Sequence, residues 1–460
     1  MKYSHSKLLL LLMITFLAIQ AEPVQANIIK AQQAYQQKNY QQAFDLYRQS
    51  AHLGKVDAQL KIAGFYASGI GVKADMVQSY LYLTLAGDHG NNVAKINLET
   101  IFNSLTAAEK SKIKALWPTM KAEYGVSALT AGILPQLKKG PFYYKSAKLL
   151  AISGKATSSR FSPRRSKMGS VIVEFDVGKD GRVRDIEIEQ NYYMDHVGVA
   201  NIIEKVAQAE YQAAKKMKGN KSALKSYHHR SVWAQREVSK SYVKKVVPRF
   251  YRHFKSLTKS AEAGENYAKY QLGMYALVYP ALEIEKTNYV NYITESARAG
   301  VISAELEYAQ LLLEGKRVKR NNPKAMQYLV SAAQSGLARA QYKLARQLLS
   351  GRVVQRDEKK AYFWLKQAAN QQEPYAKYWL ARLSLIAKDK TVRDAKLAQS
   401  LLQQVAEQQR HNPNWFYFSA IAQWQLDNNK EAKNLLAQGR TKAEDYQWNL
   451  TKFNRLAKKI

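Results

Sequence analysis

Residues 340–369 read AQYKLARQLLSGRVVQRDEKKAYFWLKQAA. Leu344, Leu348 and Leu349, with Tyr342 beside them, recur at helical spacing, so the first half is an amphipathic helix. Ala340, which opens it, is small enough to let a neighbouring helix come close. Eleven residues on, Gly351 can adopt the positive φ that ends a helix and turns the chain. Asp357, seventeen residues after Ala340, is a good N-cap for a second amphipathic helix through KKAYFWLKQAA. The stretch is a helix hairpin.

Four more stretches follow the same pattern. AQLKIAGFYASG, AKYQLGMYALVY, AELEYAQLLLEG and AKYWLARLSLIA begin at Ala58, Ala268, Ala304 and Ala376, and from Ala268 through Ala340 to Ala376 the spacing is 36. Gly69 and Gly315 take the place of Gly351, while Asp75 and Asn321 take that of Asp357. Gly54, Gly264, Gly300 and Gly336 stand four residues before each opening alanine, with Gln372 as a variant and Gly90 lying 36 beyond Gly54. Stacked helix hairpins of this kind make an α-solenoid. MYALVYPALEIEKTN lacks the glycine loop and contains Pro280, so that hairpin is expected to be irregular.

These residues resemble the Sel1-like repeat family, whose units run A-x-Y-x-L-G/A-x-x-Y/L-x-x-G-x-x-V-x-x-D-x-x-K-A-x-x-W-L-x-x-A-A-x-x-G. The fullest match is Ala340, Tyr342, Leu344, Ala345, Leu348, Gly351, Val354, Asp357, Lys360, Ala361, Trp364, Leu365, Ala368 and Ala369; the N-terminal unit keeps the loop as Gly69-Ile70-Gly71-Val72. The resemblance covers about 40–95 and 255–410, with a degenerate tail to 460. It implies a TPR-like, protein-binding scaffold with no chemistry of its own, whose concave face presents side chains to a partner. Tyr275, Tyr308, Tyr342 and Trp364 are expected to fill the core between helices.

Between the two arrays the composition changes. From Lys138 to Met168 there are nine Lys or Arg and no acid, which reads as an exposed connection or edge. GSVIVEFDV then alternates Val171, Val173, Phe175 and Val177 on one face of a strand, and Gly178-Lys179-Asp180-Gly181 supplies a hairpin turn. Val183, Ile186 and Ile188 return with a slip of one residue, the mark of a bulge or early bend. A helix is expected through VANIIEKVAQAEYQAAKKM on Val199, Ile202, Ile203 and Val206, and a further strand at 230–238, RSVWAQREV.

The order Gly169, Val171, Val173, Phe175, Val177, Asp180, Gly181, Val183, then a helix and a strand, resembles the C-terminal domain of TonB, the bacterial energy transducer. The family's Tyr-Pro pair before the first strand is here only Ser162-Pro163, and of the family's Trp-x-Tyr/Phe-x-Pro only Tyr211 remains. The resemblance implies docking by β-augmentation, in which a segment of an outer-membrane receptor pairs with an exposed strand. The candidate docking edge is Val232, Trp233, Gln235 and Val238. A transducer also needs a retained membrane helix and a long proline-rich span, and with 10 Pro in all this chain reads rather as carrying a docking module. An accessory part in TonB-type energy transduction is the alternative.

Lys2 and Lys7 precede an apolar run from Leu8 to Ile19 and the small-residue pattern Val24-Gln25-Ala26, the order of a secretory signal peptide cleaved after Ala26. As a retained anchor the run would rise only about 18 Å, short of the roughly 30 Å hydrocarbon core. The expected location is the periplasm. The chain has no cysteine, hence no disulfide and no thiolate site.

Seventy-one Lys and Arg against 36 Asp and Glu give a net charge of +35. Such a field attracts anions, and export points away from nucleic acid toward lipopolysaccharide, peptidoglycan or an acidic protein surface. From Tyr211 to Ser260 there are 14 Lys or Arg and one acid, Glu237. The candidate anion-binding residues are Lys215, Lys216, Lys218, Lys244, Lys245, Arg249 and Arg252. A solvated surface that maintains solubility is the plain alternative.

No Gly-x-Ser-x-Gly, His-Glu-x-x-His or phosphate-loop pattern occurs. His228 and His229 adjoin, but on a strand they point to opposite faces and make a poor metal pair. Asp176 with Asp180, and Glu187 with Glu189, are expected on the solvent face and turn of the hairpin. The expectation is thus an α+β chain without catalysis or cofactor: signal peptide 1–26, repeats 27–125, linker 126–144, TonB-like αβ domain 145–240 and a second repeat array 241–460. Its partners would be envelope proteins.

Overall fold

The computed structural model describes residues 27–138, 144–145, 148–152, 169–213, 215–216, 226–234, 239–279, 282, 286–315 and 317–460. The signal-peptide segment, Lys218, Gln235, Val238 and Pro280 lie outside the described residues. The chain is a mostly helical solenoid with a few small strands.

The first array consists of α1 (Ile28–Gln36), α2 (Tyr40–His52), α3 (Val56–Ser68), α4 (Met76–Asp88), α5 (Asn92–Ser104), α6 (Ala107–Tyr124) and α7 (Val126–Gly132). The inserted module holds β1 (Tyr144–Lys145), β2 (Lys148–Ile152), β3 (Ser170–Gly178), β4 (Val183–Tyr192), α8 (His196–Ala207), β5 (Ala209–Gln212), β6 (Lys215–Lys216) and β7 (Ser226–Ala234). After α9 (Lys240–Val246) and α10 (Pro248–Glu262) the second array pairs α11 (Asn266–Val278) with α12 (Lys286–Arg298), α13 (Ile302–Glu314) with α14 (Asn322–Gln334), and α15 (Ala338–Ser350) with α16 (Glu358–Asn370). It continues through α17 (Pro374–Ile386), α18 (Ala395–Gln404), α19 (Ala406–Gln409), α20 (Pro413–Gln425), α21 (Asn429–Asp445) and α22 (Thr451–Ala457).

The 36-residue register reappears in the helix ends. α11, α13, α15 and α17 are each 13 residues long, as are α12, α14 and α16. Asp75, Asn321 and Asp357 cap the second helix of their units by accepting from the backbone N–H groups of Gln78, Lys324 and Lys360. Gly315 and Gly351 end the first helices at φ +66° and +60°. Gln372, standing where other units have glycine, takes the same left-handed backbone at φ +66°. Helix α11 instead ends at Val278 with Tyr279 at φ −129°, so the unit without a glycine loop does turn differently. Tyr275, Tyr308, Tyr342 and Trp364 are all buried.

Residues 126–138, expected as part of a linker, form α7 and a stretch that runs along the second array. Lys360 donates to the carbonyls of Thr130 (2.6 Å) and Leu134 (2.8 Å), and the Trp364 indole donates to that of Ile133 (2.8 Å). The Lys138 N–H bonds the Val353 carbonyl, and the Gln355 N–H that of Gln136. The α2–α3 turn docks on α14, where Gln334 donates to the Leu53 carbonyl (2.6 Å) and Lys55 to Ser331 (2.6 Å). Backbone groups of this connection, the carbonyls of Thr130, Ile133, Leu134 and Gln136 and the N–H of Lys138, are therefore satisfied by the second array.

In the module β3 is central, flanked by β4 and β7, all antiparallel. Register shifts on the β3–β4 pair and Asp185 at φ +50° account for the slip seen in the return strand. The helix expected through Met217 stops at Ala207. AEYQ becomes β5, pairing with β2, because Ala209 and Tyr211 are buried and the Tyr211 N–H is taken by the Gly181 carbonyl. β7 begins at Ser226, four residues ahead of the strand expected at 230.

Gly54 lies at the joint between the arrays with φ +92°, and a Cβ there would meet Leu129 Cδ1 at 2.8 Å and Gln334 Nε2 at 2.9 Å. Gly54→Ala is expected to destabilise the chain by about 1–3 kcal/mol, since an alanine must hold a left-handed backbone in an occupied space. A thermal midpoint equal to the parent's would contradict this packing.

Candidate functional site

The two faces of the sheet have opposite chemistry. Val171, Val173, Phe175 and Val177 share one apolar cluster with Ile202 and Val206 of α8 and with Tyr211. The other face turns Glu174 and Asp176 of β3, and Asp185, Glu187 and Glu189 of β4, onto the first helices of the repeats. The expectation that Asp176, Glu187 and Glu189 lie on a solvent face is therefore wrong. Only Asp180 stays in the exposed turn, paired with Arg184.

Helix α15 supplies most of the opposing charge. Arg339 lies 3.2 Å from both Glu174 and Glu187 and from Glu373, and Arg346 lies 2.9 Å from Asp176 and 3.0 Å from Glu187. Lys343 contacts Glu174, and the Tyr342 hydroxyl donates to Glu187. One repeat along, α17 places Arg382 3.3 Å from Asp185, which also accepts from the Tyr378 hydroxyl (3.0 Å) and from Asn414 of α20 (2.9 Å). The Tyr375 hydroxyl accepts from the Ile188 N–H at 2.7 Å. From β7, Arg230 forks onto Glu307 of α13 at 3.0 and 2.8 Å and also reaches Glu189.

These charges are held by geometry. Positions 339, 342, 343 and 346 recur every third or fourth residue and form one stripe of α15; positions 375, 378, 379 and 382 repeat it 36 residues later on α17. Burial alone would push the Asp176 carboxyl up, but the Arg346 guanidinium and His228 outweigh it and hold that carboxyl well below the usual range. Burial pushes the Tyr342 and Tyr378 hydroxyls up, so both stay protonated and donate.

Of the predicted docking edge, Val232 and Trp233 fall on β7, and Gln235 and Val238 lie outside the described residues. The strand pairs with β3 from Ser226 opposite Gly178 to Ala234 opposite Ser170, and among the described residues it pairs with no other strand. Val232 and Trp233 are half-buried: Val232 packs toward α10 and α11, while Trp233 packs on the α8 side and donates to Ser231 at 2.9 Å. What the edge offers is its backbone. His228 and His229 do point to opposite faces, one to Asp176 at 3.2 Å and the other against the Phe175 ring.

The described members of the predicted anion-binding set fall on three separate elements. Lys215 and Lys216 form β6, opposite Lys145 and Tyr144. Lys244 and Lys245 on α9 and Arg249 and Arg252 on α10 are exposed, and Lys255 and Lys259 extend the same basic surface. From Lys240 to Ala261 there is no acid. Among the described residues no group of three His, Asp or Glu could hold a metal ion, and no helix is long and apolar enough to cross a membrane.

Sequence reasoning missed the stripe on α15 and α17. The available signal was compositional: in a chain so rich in Lys and Arg, six acids between 174 and 189 ask for a cationic partner.

Stacked helix hairpins of fixed length, with side chains at equivalent positions gripping a second element, define a helical-repeat scaffold of the kind that binds other proteins. Four stretches of the chain, residues 32–55, 56–91, 302–337 and 338–373, match the Sel1 repeat family. No curated protein matches the chain. Among solved structures, a Sel1 repeat protein from Oxalobacter formigenes is 15% identical with a TM-score of 0.35, covering 94% of this chain and 90% of that one. A protective antigen of uropathogenic Escherichia coli displaying an SLR fold is 17% identical with a TM-score of 0.36, covering 91% of this chain and 69% of that one.

Two outcomes follow from the buried charges. Arg346→Met leaves the buried Asp176 without its guanidinium and Glu187 with Arg339 as its remaining cation, and should destabilise by about 3–5 kcal/mol. Amide exchange should then rise in 170–192 more than in 27–91, and uniform exchange would refute the contact. His411, buried beside β4 and hydrogen-bonded to the Ile186 backbone, has its imidazole pushed down by burial, to about 4. The unfolded chain protonates this ring below about 6.5 and the fold does not, so its contribution is intact above that pH and lost as pH falls toward 4. Stability should drop by about 3 kcal/mol from this group, with His52 adding to the fall, and His411→Gln should flatten the curve measured by urea titration.

Proposed function

We propose that this chain is an exported, non-enzymatic adaptor of the bacterial envelope that works in the periplasm and docks an extended segment of an envelope protein along β7. The observation that carries this reading is that β7 is a nine-residue strand fully paired to β3 on one side and, among the described residues, to no strand on the other. The stripe of α15 and α17 that could hold a partner already holds the chain's own sheet. Partner binding then falls to surfaces outside that contact, and backbone pairing at an edge needs little from side chains. The strand, turn, strand, helix, strand order resembling the TonB C-terminal domain supports a receptor segment of the outer membrane as the occupant. The leader-like residues 1–26 support export.

The exposed basic surface of α9 and α10 favours a second reading, attachment to lipopolysaccharide or peptidoglycan. Salt separates the two, since strand pairing survives moderate salt and attachment through exposed charge fades. In-cell photocrosslinking with the probe placed in turn at Val232, Gln235 and Val238 should capture an outer-membrane receptor at alternate positions, and the yield should hold at moderate salt. Capture of glycan or lipid alone, reversed by salt, would sink strand docking and leave the basic surface as the binding site.

A further inference from the structure

Between the hairpin tip and the loops that close the repeats lies a cavity of about 1130 Å³, larger than the roughly 300–1,000 Å³ of most small-molecule sites. Three separated parts of the chain wall it: the tip from Gly178 to Arg184, the loop from Gly351 to Arg356 after α15, and the end of α17 with Asn449 and Lys452. Its lining carries ten Lys or Arg against six carboxylates. Five of those carboxylates are already committed, Glu174 to Lys343, Asp176 to Arg346, Asp180 to Arg184, Asp185 to Arg382 and Glu358 to Arg356. Lys138, Lys179 and Lys452 form an ion pair with none of the described carboxylates. Lys138 donates to the Gly351 carbonyl and Lys452 to Asn414, while Lys179 is exposed on the tip.

We propose that this cavity binds one multiply anionic small ligand, its carboxylate or phosphate groups held between Lys179 on the hairpin, Lys138 at the repeat loop and Lys452 on α22. A cationic cleft with low-dielectric walls concentrates anions, and a ligand bridging the tip and the loops exploits charges no single element supplies. Trp379 lies at the floor with the Arg346 and Arg382 guanidiniums 3.8 and 4.3 Å from its ring centroids, so it reports on the charges around it. The groups facing Lys452 are Asp180, Arg184 and Asp185 of the hairpin, Arg382 of α17 and Tyr417 of α20. Burial, with Arg382 and Arg184, pushes its ammonium down to about 7, with Asp185 and Asp180 opposing. An anion beside it restores the charge, so affinity should fall as pH rises from 6 to 8.

The inference does not rest on strand docking, because the cavity lies on the repeat side of the sheet and a β7 partner binds along the strand's outer edge. Titration calorimetry of the full chain at low salt, with pyrophosphate and with citrate as probes, tests it. One saturable site is expected, with quenching of Trp379 that is absent in Trp379→Phe. Lys179→Ala combined with Lys452→Gln should weaken binding at least tenfold, and Lys179→Ala alone should do so in part with an unchanged thermal midpoint. A preference for pyrophosphate points to a phosphate-bearing ligand and one for citrate to a carboxylate-bearing one. No saturable binding of either probe overturns the proposal, as does an equal loss in Lys244→Glu/Lys245→Glu on α9, which would reduce the effect to diffuse surface charge.

Discussion

The carboxylates of the hairpin and the guanidiniums of α15 and α17 are buried together, and the rest of the molecule is arranged around that contact. Taking such groups out of water costs several kcal/mol per ion, and mutual attraction offsets this only where hydrogen bonds complete the set. Here they do. Glu187 accepts from Arg339, Arg346 and Tyr342, and Asp185 from Arg382, Tyr378, Asn412 and Asn414. The contribution of such a network lies less in net stability than in register. A sheet shifted by one residue on the repeats would bury Val173 and Phe175 against Arg339 and Lys343 and leave every ion unpaired.

Two periodicities meet at this contact. Along β3, Glu174 and Asp176 are about 6.6 Å apart, two strand residues, and they meet Lys343 and Arg346, separated by most of a helical turn. The next repeat offers the same stripe again to β4. A hairpin is marginal on its own in water, and this one gains α8 on one face and four successive repeat helices on the other. The solenoid thereby acquires a long-range tie between α13 and α20, elements that otherwise touch only neighbours in the stack.

The repeats were legible because each feature that makes them is local: an N-cap reaches three residues on, and a left-handed residue ends its own helix. Asp357, Gly351 and Trp364 say nearly everything about their hairpin from within thirty residues. The alternation of Val171 to Val177 gave the central strand by the same logic. The destination of Glu174 and Glu187 was not legible, because alternation distinguishes two faces without saying that the polar one meets protein. β5 was lost inside a helical pattern since AEYQ is too short to show its own period, and β7 started early because Tyr227, His228 and His229 lack the β-branched signature. Residues 126–138 read as a linker because their partners, Lys360 and Trp364, lie more than two hundred residues away.

Hiding the acids changes what the molecule presents to its surroundings. Of 36 acidic residues, those on the inner face of the hairpin are screened by their own partners, while Lys244, Lys245, Arg249 and Arg252 face solvent. The module is also held in place across four repeat helices. An incoming strand at β7 would meet an edge whose position and backbone are already set, and the ordering cost that weakens docking to mobile segments would fall on the partner alone.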